Sequence, residues 1–333
     1  MACANFPQVD SSRMLDKARV ATDDGAMVRI PGVLQRAWPL IGMLWCSASG
    51  SHPPDAQALD CPFGPVIFVH GLGQDSSIFQ HLIAVLEERG IPLACLHAID
   101  YSQGNLPIRQ AAENELAPYV ERVIATLAQA PGSAGQRPAA RVNLIGHSMG
   151  ALSTRWYAAR VRPDRVRTWI GTSGANHGTD WKCPQPEGTG HGDMCPAFAR
   201  SARDSAVQIA LNGMPGPDVD ETPYGLGRDS AGVRSTAPDP MRSILYLAVH
   251  VADDPYIKPA ASLLLDGAGG VVFELPPGSP WREEQPGNFL YTEPSGHDEV
   301  LRSDFLADFV YRAISAVRPE PAAAATPTAD FNH

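Results

Sequence analysis

Short apolar runs alternate with amphipathic stretches along the chain from residue 65 to residue 317. The apolar runs are typical of strands that are buried on both faces, and the stretches between them carry apolar residues at helical spacing. The predicted strands are PVIFVHG, IPLACLHAI, VNLIG, VRTWIGTSG, ILYLAVHV (Ile244–Val251) and GVVFEL (Gly270–Leu275). The predicted helices are Ile78–Arg89, Leu106–Ala130, Met149–Arg160 and a last helix from about Asp298 to Val317.

This alternation predicts an α/β fold with right-handed crossovers and a mostly parallel sheet of about six strands, covered by helices on both faces. We expect one catalytic domain over residues 61–317. Residues 175–240 interrupt the rhythm after the fourth strand with many turn residues, which favours a loop-rich insertion that serves as a lid or pocket wall. The Ala/Pro-rich tail, residues 318–333, is expected to be disordered.

The N-terminal residues 1–60 precede the first core strand. From Met27 they read MVRIPGVLQRAWPLIGMLWCSASGS, with arginines, a short apolar run and then small residues. That is the form of a secretory signal peptide if translation starts at Met27, and the alternative is an arm on the domain surface. The preferred expectation is a secreted or extracytoplasmic protein, and the alternative is a cytoplasmic one.

Composition excludes some partners. The chain has 333 residues, 44% of them hydrophobic, enough for one large domain with a substantial core. Its net charge of −10 argues against nucleic acid or an anionic membrane as the main partner. No apolar stretch approaches the ~20 residues that span a bilayer, so integral membrane association is not expected. Contact with neutral lipid at a lipid–water interface remains compatible with this surface.

The third predicted strand ends in a pentapeptide that indicates a catalytic serine. Residues 141–150 read RVNLIGHSMG, so an apolar run stops at GHSMG and a helical pattern follows. Strand, sharp turn and helix form the context in which G-x-S-x-G is a nucleophile elbow. Glycines two positions on either side allow strand and helix to approach closely around a strained serine. The pattern predicts Ser148 as a nucleophile, against an ordinary turn serine.

A serine hydroxyl needs a base, and the base needs an orienting acid, in the chain order serine, acid, histidine. The histidines after the elbow are His177, His191, His250, His297 and His333. His177 and His191 precede the later strands whose loops supply the acid. His250 lies inside a strand, and His333 ends the tail. The order therefore favours His297, in the loop SGHDEVL before the final helix, as the base.

The acid is expected on the loop after the fifth strand, which reads VADDPYIKP. Both Asp253 and Asp254 qualify, and the turn residue Asp266 is a third candidate. We favour Asp254, because it begins a segment in which two apolar positions and a proline turn the chain away. A buried carboxylate there would hold the imidazole in the required tautomer.

An oxyanion intermediate requires two waiting backbone N–H groups. One is expected from Met149, directly after the nucleophile. The other is expected from Leu72, in the glycine turn His70-Gly71-Leu72-Gly73 after the first strand. His70 itself is expected to hydrogen-bond the turn rather than to take part in catalysis.

Six cysteines indicate a disulfide candidate but no metal site. Cys183 and Cys195 enclose a Gly/Pro-rich segment, and closing so short a loop would stabilise the fold by up to about 3 kcal/mol. The cysteines without a readable pairing are Cys3, Cys46, Cys61 and Cys95. The potential metal ligands in the same region are His177, Asp180, His191 and Asp193. Their spacing matches no zinc signature, so no metal is expected. Gly-rich loops elsewhere lack a Lys-Ser/Thr phosphate cradle, so no nucleotide cofactor is expected.

Taken together, these segments resemble the α/β-hydrolase superfamily and, within it, the bacterial secreted triacylglycerol lipases. The likeness lies in VIFVHGLGQDSSIF, VNLIGHSMG, GTSGANHGT, DETPYG, the Asp254 segment and SGHDEVL, and it covers most of residues 63–315. Lipase-like polyhydroxyalkanoate depolymerases share much of the pattern. The resemblance implies a triad and two oxyanion donors, which are Ser148, Asp254, His297, Leu72 and Met149. The excursion after Asn176 is longer than in the most compact members.

The expected function is serine carboxylic-ester hydrolysis without a cofactor, with acylglycerols as the preferred substrate. Carboxylesterase, extracellular polyester depolymerase and acyltransferase activities use the same machinery and stay open. A hydrolase-fold binding protein with a dead site would lack a member of the triad, and none is missing from the sequence.

Overall fold

A computed structural model describes residues 61–101, 104–129, 141–186, 188–195, 206–212, 244–269 and 275–317. Within them, seven strands form one sheet in the order β2-β1-β3-β4-β5-β7-β6. The strands are β1 (Val66–Val69), β2 (Leu96–Ile99), β3 (Val142–His147), β4 (Val166–Thr172), β5 (Leu245–Val251), β6 (Trp281–Gln285) and β7 (Asn288–Tyr291). Neighbouring strands are parallel, except that β6 is antiparallel to β7.

Helices connect these strands. They are α1 (Gln80–Glu88), α2 (Ile108–Gln110), α3 (Ala117–Ala128), α4 (Met149–Trp156), α5 (Gly190–Asp193), α6 (Ala206–Asn212) and α7 (Asp304–Ala316). A π-helical stretch, Ala111–Leu116, joins α2 to α3, so the predicted helix over 106–130 is one continuous helical segment. The helix predicted at 78–89 begins earlier, with a 3-10 turn at Ser76–Phe79 that Asp75 caps.

Alternating residues of the buried strands face two different cores. In β1, Val66 and Phe68 join the cluster that α1 and α7 cover, whereas Ile67 and Val69 join the cluster under α3. Every residue of β3, β4 and β5 is buried. The sheet is therefore covered on both faces, as the continuous apolar runs predict. The α/β fold with a mostly parallel sheet is confirmed, with seven described strands where about six were expected.

The additional pair of strands is a hairpin that the sequence pattern does not predict. Its two strands, β6 and β7, flank the turn at Pro286-Gly287, and Gly287 has φ +73°. In β6 only Trp281 is buried, and it packs against Tyr291 and Phe309. The hairpin matters for the site because β7 pairs in parallel with β5 and leads directly into the loop that carries His297.

Two disulfides lie in the described residues. Cys61 joins Cys95 across β1 and β2, with their Cα atoms 5.7 Å apart. Cys183 joins Cys195, with a Cα separation of 5.9 Å, and closes the Gly/Pro-rich loop. The first pair had no signal in the sequence, because the two cysteines, 34 positions apart, are brought together only by strand pairing.

Several predicted segments lie outside the described residues. These are residues 1–60, most of the strand predicted at 270–275, much of the insertion at 175–240, and the tail from residue 318. None of the helices in the described ranges combines the length and the apolar character needed to cross a membrane.

Candidate active site

Ser148 lies at the turn between β3 and α4, and its backbone is in an unusual conformation. Its φ is +54° and its ψ is −121°. A non-glycine residue in the left-handed region costs of order 1–3 kcal/mol and persists only where its surroundings hold it. Here the Ser148 amide donates to the carbonyl of Thr172 at 2.9 Å, which anchors the turn to the end of β4.

The two glycines of the pentapeptide permit this turn. A Cβ on Gly150 would collide with the carbonyl oxygens of Val69 and His70 at the end of β1. A Cβ on Gly146 would lie 2.6 Å from the Cα of Ala151 in the first turn of α4. Strand and helix can therefore approach only if both positions lack a side chain, as expected of a nucleophile elbow.

Asp254 and His297 form a buried pair at the same edge of the sheet. Nδ1 of His297 donates to Oδ2 of Asp254 at 2.7 Å, and the side chains are 5% and 1% exposed. Oδ1 of Asp254 accepts from the amides of Tyr256 and Ile257, at 2.9 Å and 3.0 Å. The carboxylate thus places the proton on Nδ1 and leaves the Nε2 lone pair of His297 available as a base.

Asp253 occupies a different position from its neighbour. It is exposed and has φ +53°, so it forms the turn that directs Asp254 inward. Asp266 is also exposed. Of the three candidate acids, the structure brings Asp254 to His297.

The environment of Asp254 keeps its carboxylate ionised. Burial alone raises the pKa of this group, but the hydrogen bond and charge of His297, together with the amides of Tyr256 and Ile257, outweigh that effect. The net result is a pKa for Asp254 below its ordinary value. The side chain is therefore suited to stabilise an imidazolium at neutral pH.

A second buried histidine, His147, belongs to the elbow and lies against this pair. Its ring centroid is 4.7 Å from that of His297, and its Nε2 lies 3.0 Å from the His297 carbonyl oxygen. Burial, and then the charge of His297, lowers the pKa of His147 to about 3. His147 is thus a neutral donor that holds the backbone of the residue carrying the base.

The turn after β1 lies directly against the serine. A Cβ on Gly71 would be 2.8 Å from Cβ of Ser148. The amide of Gly71 donates to Oε1 of Gln74, and that of Gly73 donates to the carbonyl of Gly104. The Leu72 amide between them has no acceptor among the described residues. This leaves an N–H group beside Ser148 for an oxyanion.

The second predicted donor, Met149, is the first residue of α4. The first N–H groups of a helix have no acceptor within the helix and carry partial positive charge. His70 has the structural role that the sequence predicts: Nδ1 donates to the carbonyl of Gly71 at 2.9 Å, and Nε2 accepts from the amide of Tyr101 at 3.3 Å.

Aromatic side chains border the base. The ring of Tyr256 meets that of His297 edge-on, with centroids 5.0 Å apart. Trp181 packs against Tyr256, and the ring of His191 stacks on Trp181. The loop closed by the Cys183–Cys195 disulfide is therefore joined to the site through this aromatic row.

Two clusters of potential metal ligands occur in the described ranges. One is Cys183, His191 and Cys195, whose two sulfur atoms are bonded to each other. The other is His147, His297 and Asp298, which belongs to the hydrogen-bond network of the site. Asp193 instead accepts from the amide of Ile108 at 2.7 Å.

Gln74 and Asp298 reach the site without having been predicted. Nε2 of Gln74 donates to Oδ1 of Asp298 at 2.9 Å. The only sequence signal is their position: Gln74 ends the turn HGLGQ, and Asp298 directly follows the predicted base. A polar residue next to a predicted catalytic element is too common to identify on that ground alone.

Comparison with known proteins gives a family match over part of the chain. Residues 65–208 match the model of the palmitoyl protein thioesterase family. A triacylglycerol lipase of Pseudomonas fragi is 33% identical over 121 residues, which are 35% of this chain and 36% of that protein. The match thus spans about a third of the length of this relative.

Solved structures with a similar course of the chain include lipase B of Aspergillus fumigatus. It has a TM-score of 0.45 and 13% identity, over 80% of this chain and 56% of that one. A pyrethroid hydrolase has a TM-score of 0.39 and 15% identity, over 76% of this chain and 98% of that one.

The sheet order, the elbow after β3 and the family match over residues 65–208 agree on one fold. The protein has the α/β-hydrolase fold. In this fold the loops at the carboxyl ends of the parallel strands carry the chemistry. In this protein the Leu72 turn, Ser148, Asp254 and His297 follow β1, β3, β5 and β7 at that edge.

Proposed function

We propose that this α/β-hydrolase is a serine carboxylic-ester hydrolase, and within that class a triacylglycerol lipase. The observation that carries the proposal is the 2.7 Å hydrogen bond from His297 to the buried carboxylate of Asp254, beside the strained turn of Ser148. An oriented base beside a serine held at a strained turn is the requirement for an acyl-enzyme mechanism.

In the proposed reaction, Nε2 of His297 takes the hydroxyl proton of Ser148 as the oxygen attacks the ester carbonyl. The imidazolium that forms is stabilised by Asp254, and it then protonates the departing alcohol. A water molecule repeats the sequence on the acyl-enzyme, with His297 again as the base, and releases the acid and free Ser148. Negative charge on the carbonyl oxygen would be met by the amides of Leu72 and Met149.

The preference for acylglycerols follows from the lipase of Pseudomonas fragi that matches the chain. The second candidate is an acyl thioesterase, favoured by the family match that covers the Leu72 turn and the elbow. Both reactions share the acyl-enzyme and differ in the leaving atom, oxygen or sulfur. A simple carboxylesterase or a polyester depolymerase would use the same residues with a different entrance.

The test is a comparison of initial rates on four substrates: long-chain triglyceride emulsion, short p-nitrophenyl esters, polyhydroxybutyrate granules and a palmitoyl thioester. Rates are measured below and above the solubility limit of each ester. A lipase shows its highest rates on the emulsified triglyceride. Highest activity on the thioester, on soluble short esters or on the granules would instead support the corresponding alternative.

Ser148→Ala is the matched control in every assay. We expect its activity to fall to near background while its circular dichroism spectrum stays that of the parent. A Ser148→Ala protein as active as the parent contradicts the proposed mechanism, whichever substrate is preferred.

We also propose that the protein acts outside the cytoplasm. Two disulfides, Cys61–Cys95 and Cys183–Cys195, support this, because disulfides persist mainly in oxidising compartments. Fractionation of the producing cells, with thiol labelling of the recovered protein, tests it. Recovery from the cytoplasm with all four thiols free would contradict it.

A further inference from the structure

Three segments of the site meet at one side chain, that of Gln74. Its Oε1 accepts from the Gly71 amide at 2.9 Å, within the turn that carries Leu72. Its Nε2 donates to Asp298 at 2.9 Å, directly after His297. The ring of His147 lies beside it, with Nδ1 3.1 Å from Oε1 of Gln74.

The first of these bonds bears on the oxyanion donor. Since Oε1 of Gln74 fixes the direction of the Gly71 N–H, the peptide that follows, which ends in the Leu72 N–H, has a restricted orientation. Oxyanion stabilisation depends on such donors being aimed before the reaction begins. A small rotation of this turn would move the Leu72 N–H away from the reacting oxygen.

The second bond bears on the base. Asp298 continues the loop of His297, and its carboxylate is held by Gln74 and lies 3.5 Å from Nε2 of His147. A neutral imidazole has one N–H, and Nε2 of His147 faces two oxygen atoms, so that nitrogen uses it. The His297 loop is thus fixed at two neighbouring points, its carbonyl by His147 and its next side chain by Gln74.

We propose that Gln74 is a positioning residue that locks the oxyanion turn to the loop of the catalytic base. This inference rests on the proposed function. Gln74 touches no reacting atom; its amide spans the two segments and sets the distance between the Leu72 donor and His297. The relative placement of donor and base limits the rate, because misplacement by about 1 Å can cost of order 10²-fold.

The location of Gln74 makes an effect on catalysis separable from one on folding. Its side chain is half-buried and lines an open cavity of about 480 Å³. The other residues of that cavity are Asp75, Ser77, Ile78, Gln80, His81 and Arg302. The Asp298 side chain is itself 42% exposed, so solvent can hydrate it when the amide is removed, and the fold tolerates the change while the alignment is lost.

The first experiment compares Gln74→Leu with Gln80→Leu. Gln80 is an exposed glutamine in the same cavity wall, outside the network, and serves as the control. For Gln74→Leu we expect kcat to fall by about 10- to 100-fold with KM changed less than about threefold, since substrate contacts are untouched. Gln80→Leu should match the parent. Equal kcat values for the two variants would overturn the inference.

The second experiment reverses the hydrogen bond. Gln74→Glu keeps an acceptor for Gly71 but places a carboxylate against Asp298, and we expect it to lower kcat at least as much as Gln74→Leu. Adding Asp298→Asn restores a donor and acceptor pair in the opposite direction, so the double variant should recover at least tenfold in kcat over Gln74→Glu. If Gln74 had only a structural role, the loss of activity in each variant would follow the fall in its thermal unfolding midpoint, and the double variant would show no specific recovery of kcat. That outcome contradicts the inference.

Failure of this inference is distinguishable from failure of the proposed function. If the parent hydrolyses none of the ester or thioester substrates, or if Ser148→Ala stays active, the proposed function fails. If the parent is active through Ser148 but Gln74→Leu is unimpaired, only the positioning role fails.

Discussion

The elbow and the loop after β7 each place a buried histidine at the site, yet the two side chains have different environments. His147, in the elbow, faces carbonyl and amide oxygens, and burial lowers its pKa to about 3. His297, in the loop, faces the ionised carboxylate of Asp254. His147 also has a carboxylate nearby, that of Asp298 at 3.5 Å, but this one is partly exposed and accepts a hydrogen bond from Gln74. The comparison shows that a buried carboxylate in a direct hydrogen bond, rather than burial or proximity to Ser148, distinguishes the base from its neighbour.

The two regions are also held by different forces. The elbow is fixed by backbone approach: Gly150 lies against the carbonyl groups that end β1, and no side chain fits between. The loop of His297 is fixed by hydrogen bonds to residues far away in the chain, Asp254 and Gln74. Substitutions of the elbow glycines should therefore affect folding, whereas substitutions in the loop should affect catalysis.

The largest expected effect separates the two histidines. His297→Ala should lower kcat/KM on a soluble p-nitrophenyl ester by about 10⁴-fold or more, because the base of the acyl transfer is lost. His147→Gln should cost less than about tenfold, since a glutamine amide can still donate to the His297 carbonyl. Comparable losses in the two variants would remove the distinction between the base, His297, and its neighbour, His147.

The next effect separates two adjacent carboxylates. Asp254→Asn should lower kcat/KM by about 10³- to 10⁴-fold, because the amide cannot stabilise an imidazolium and favours the wrong tautomer. Asp253→Asn should stay within about twofold of the parent, since its side chain is exposed and asparagine tolerates positive φ. Steady-state kinetics on one ester decides this, and equal losses would remove the preference for Asp254.

A stability measurement tests the elbow itself. Gly150→Ala should lower the free energy of unfolding by about 3 kcal/mol, because the new methyl group meets the carbonyl oxygens of Val69 and His70. Gly278→Ala is the control: its φ is +77° but open space surrounds it, so only about 1 kcal/mol of backbone strain is expected. Urea unfolding of both variants gives the comparison. A Gly150→Ala protein no less stable than the control would show that the close approach is dispensable.

The elbow could be predicted from the sequence, whereas the hydrogen bonds that hold the His297 loop could not. The elbow is encoded within ten consecutive residues, 141–150, so its strand, turn and helix are legible in the sequence. The chain order of the fold then pointed to His297 and to the Asp253-Asp254 segment. By contrast, the bond between Gln74 and Asp298 joins residues 224 positions apart and has no local periodicity to reveal it.

The missed hairpin has a similar explanation. In β6, Trp281 is buried but the next four residues, Arg282 to Gln285, are exposed, so the alternation that predicts a strand is absent. Its pairing with β7 depends on the position of β5, which is set elsewhere in the chain. The same holds for Cys61 and Cys95, which meet because β1 and β2 are neighbours.

The smallest expected effect is a pH dependence of stability that belongs to His147. Its folded pKa of about 3 lies below the ordinary value of 6.5, so between these values the unfolded chain binds more protons and stability falls as the pH falls. Asp254 contributes separately: its pKa is lowered, so its contribution is present above its ordinary value of 3.8 and is lost only as the pH drops through its folded value.

Urea unfolding of the parent and of His147→Gln between pH 7 and pH 4.5 isolates the histidine, since Asp254 stays ionised there. The parent should lose up to about 1.4 kcal/mol per pH unit more than the variant below pH 6. Parallel profiles would mean that His147 is protonated in the folded protein, in which case a positive charge beside His297 would oppose its action as a base, and the contrast between the two histidines would not hold.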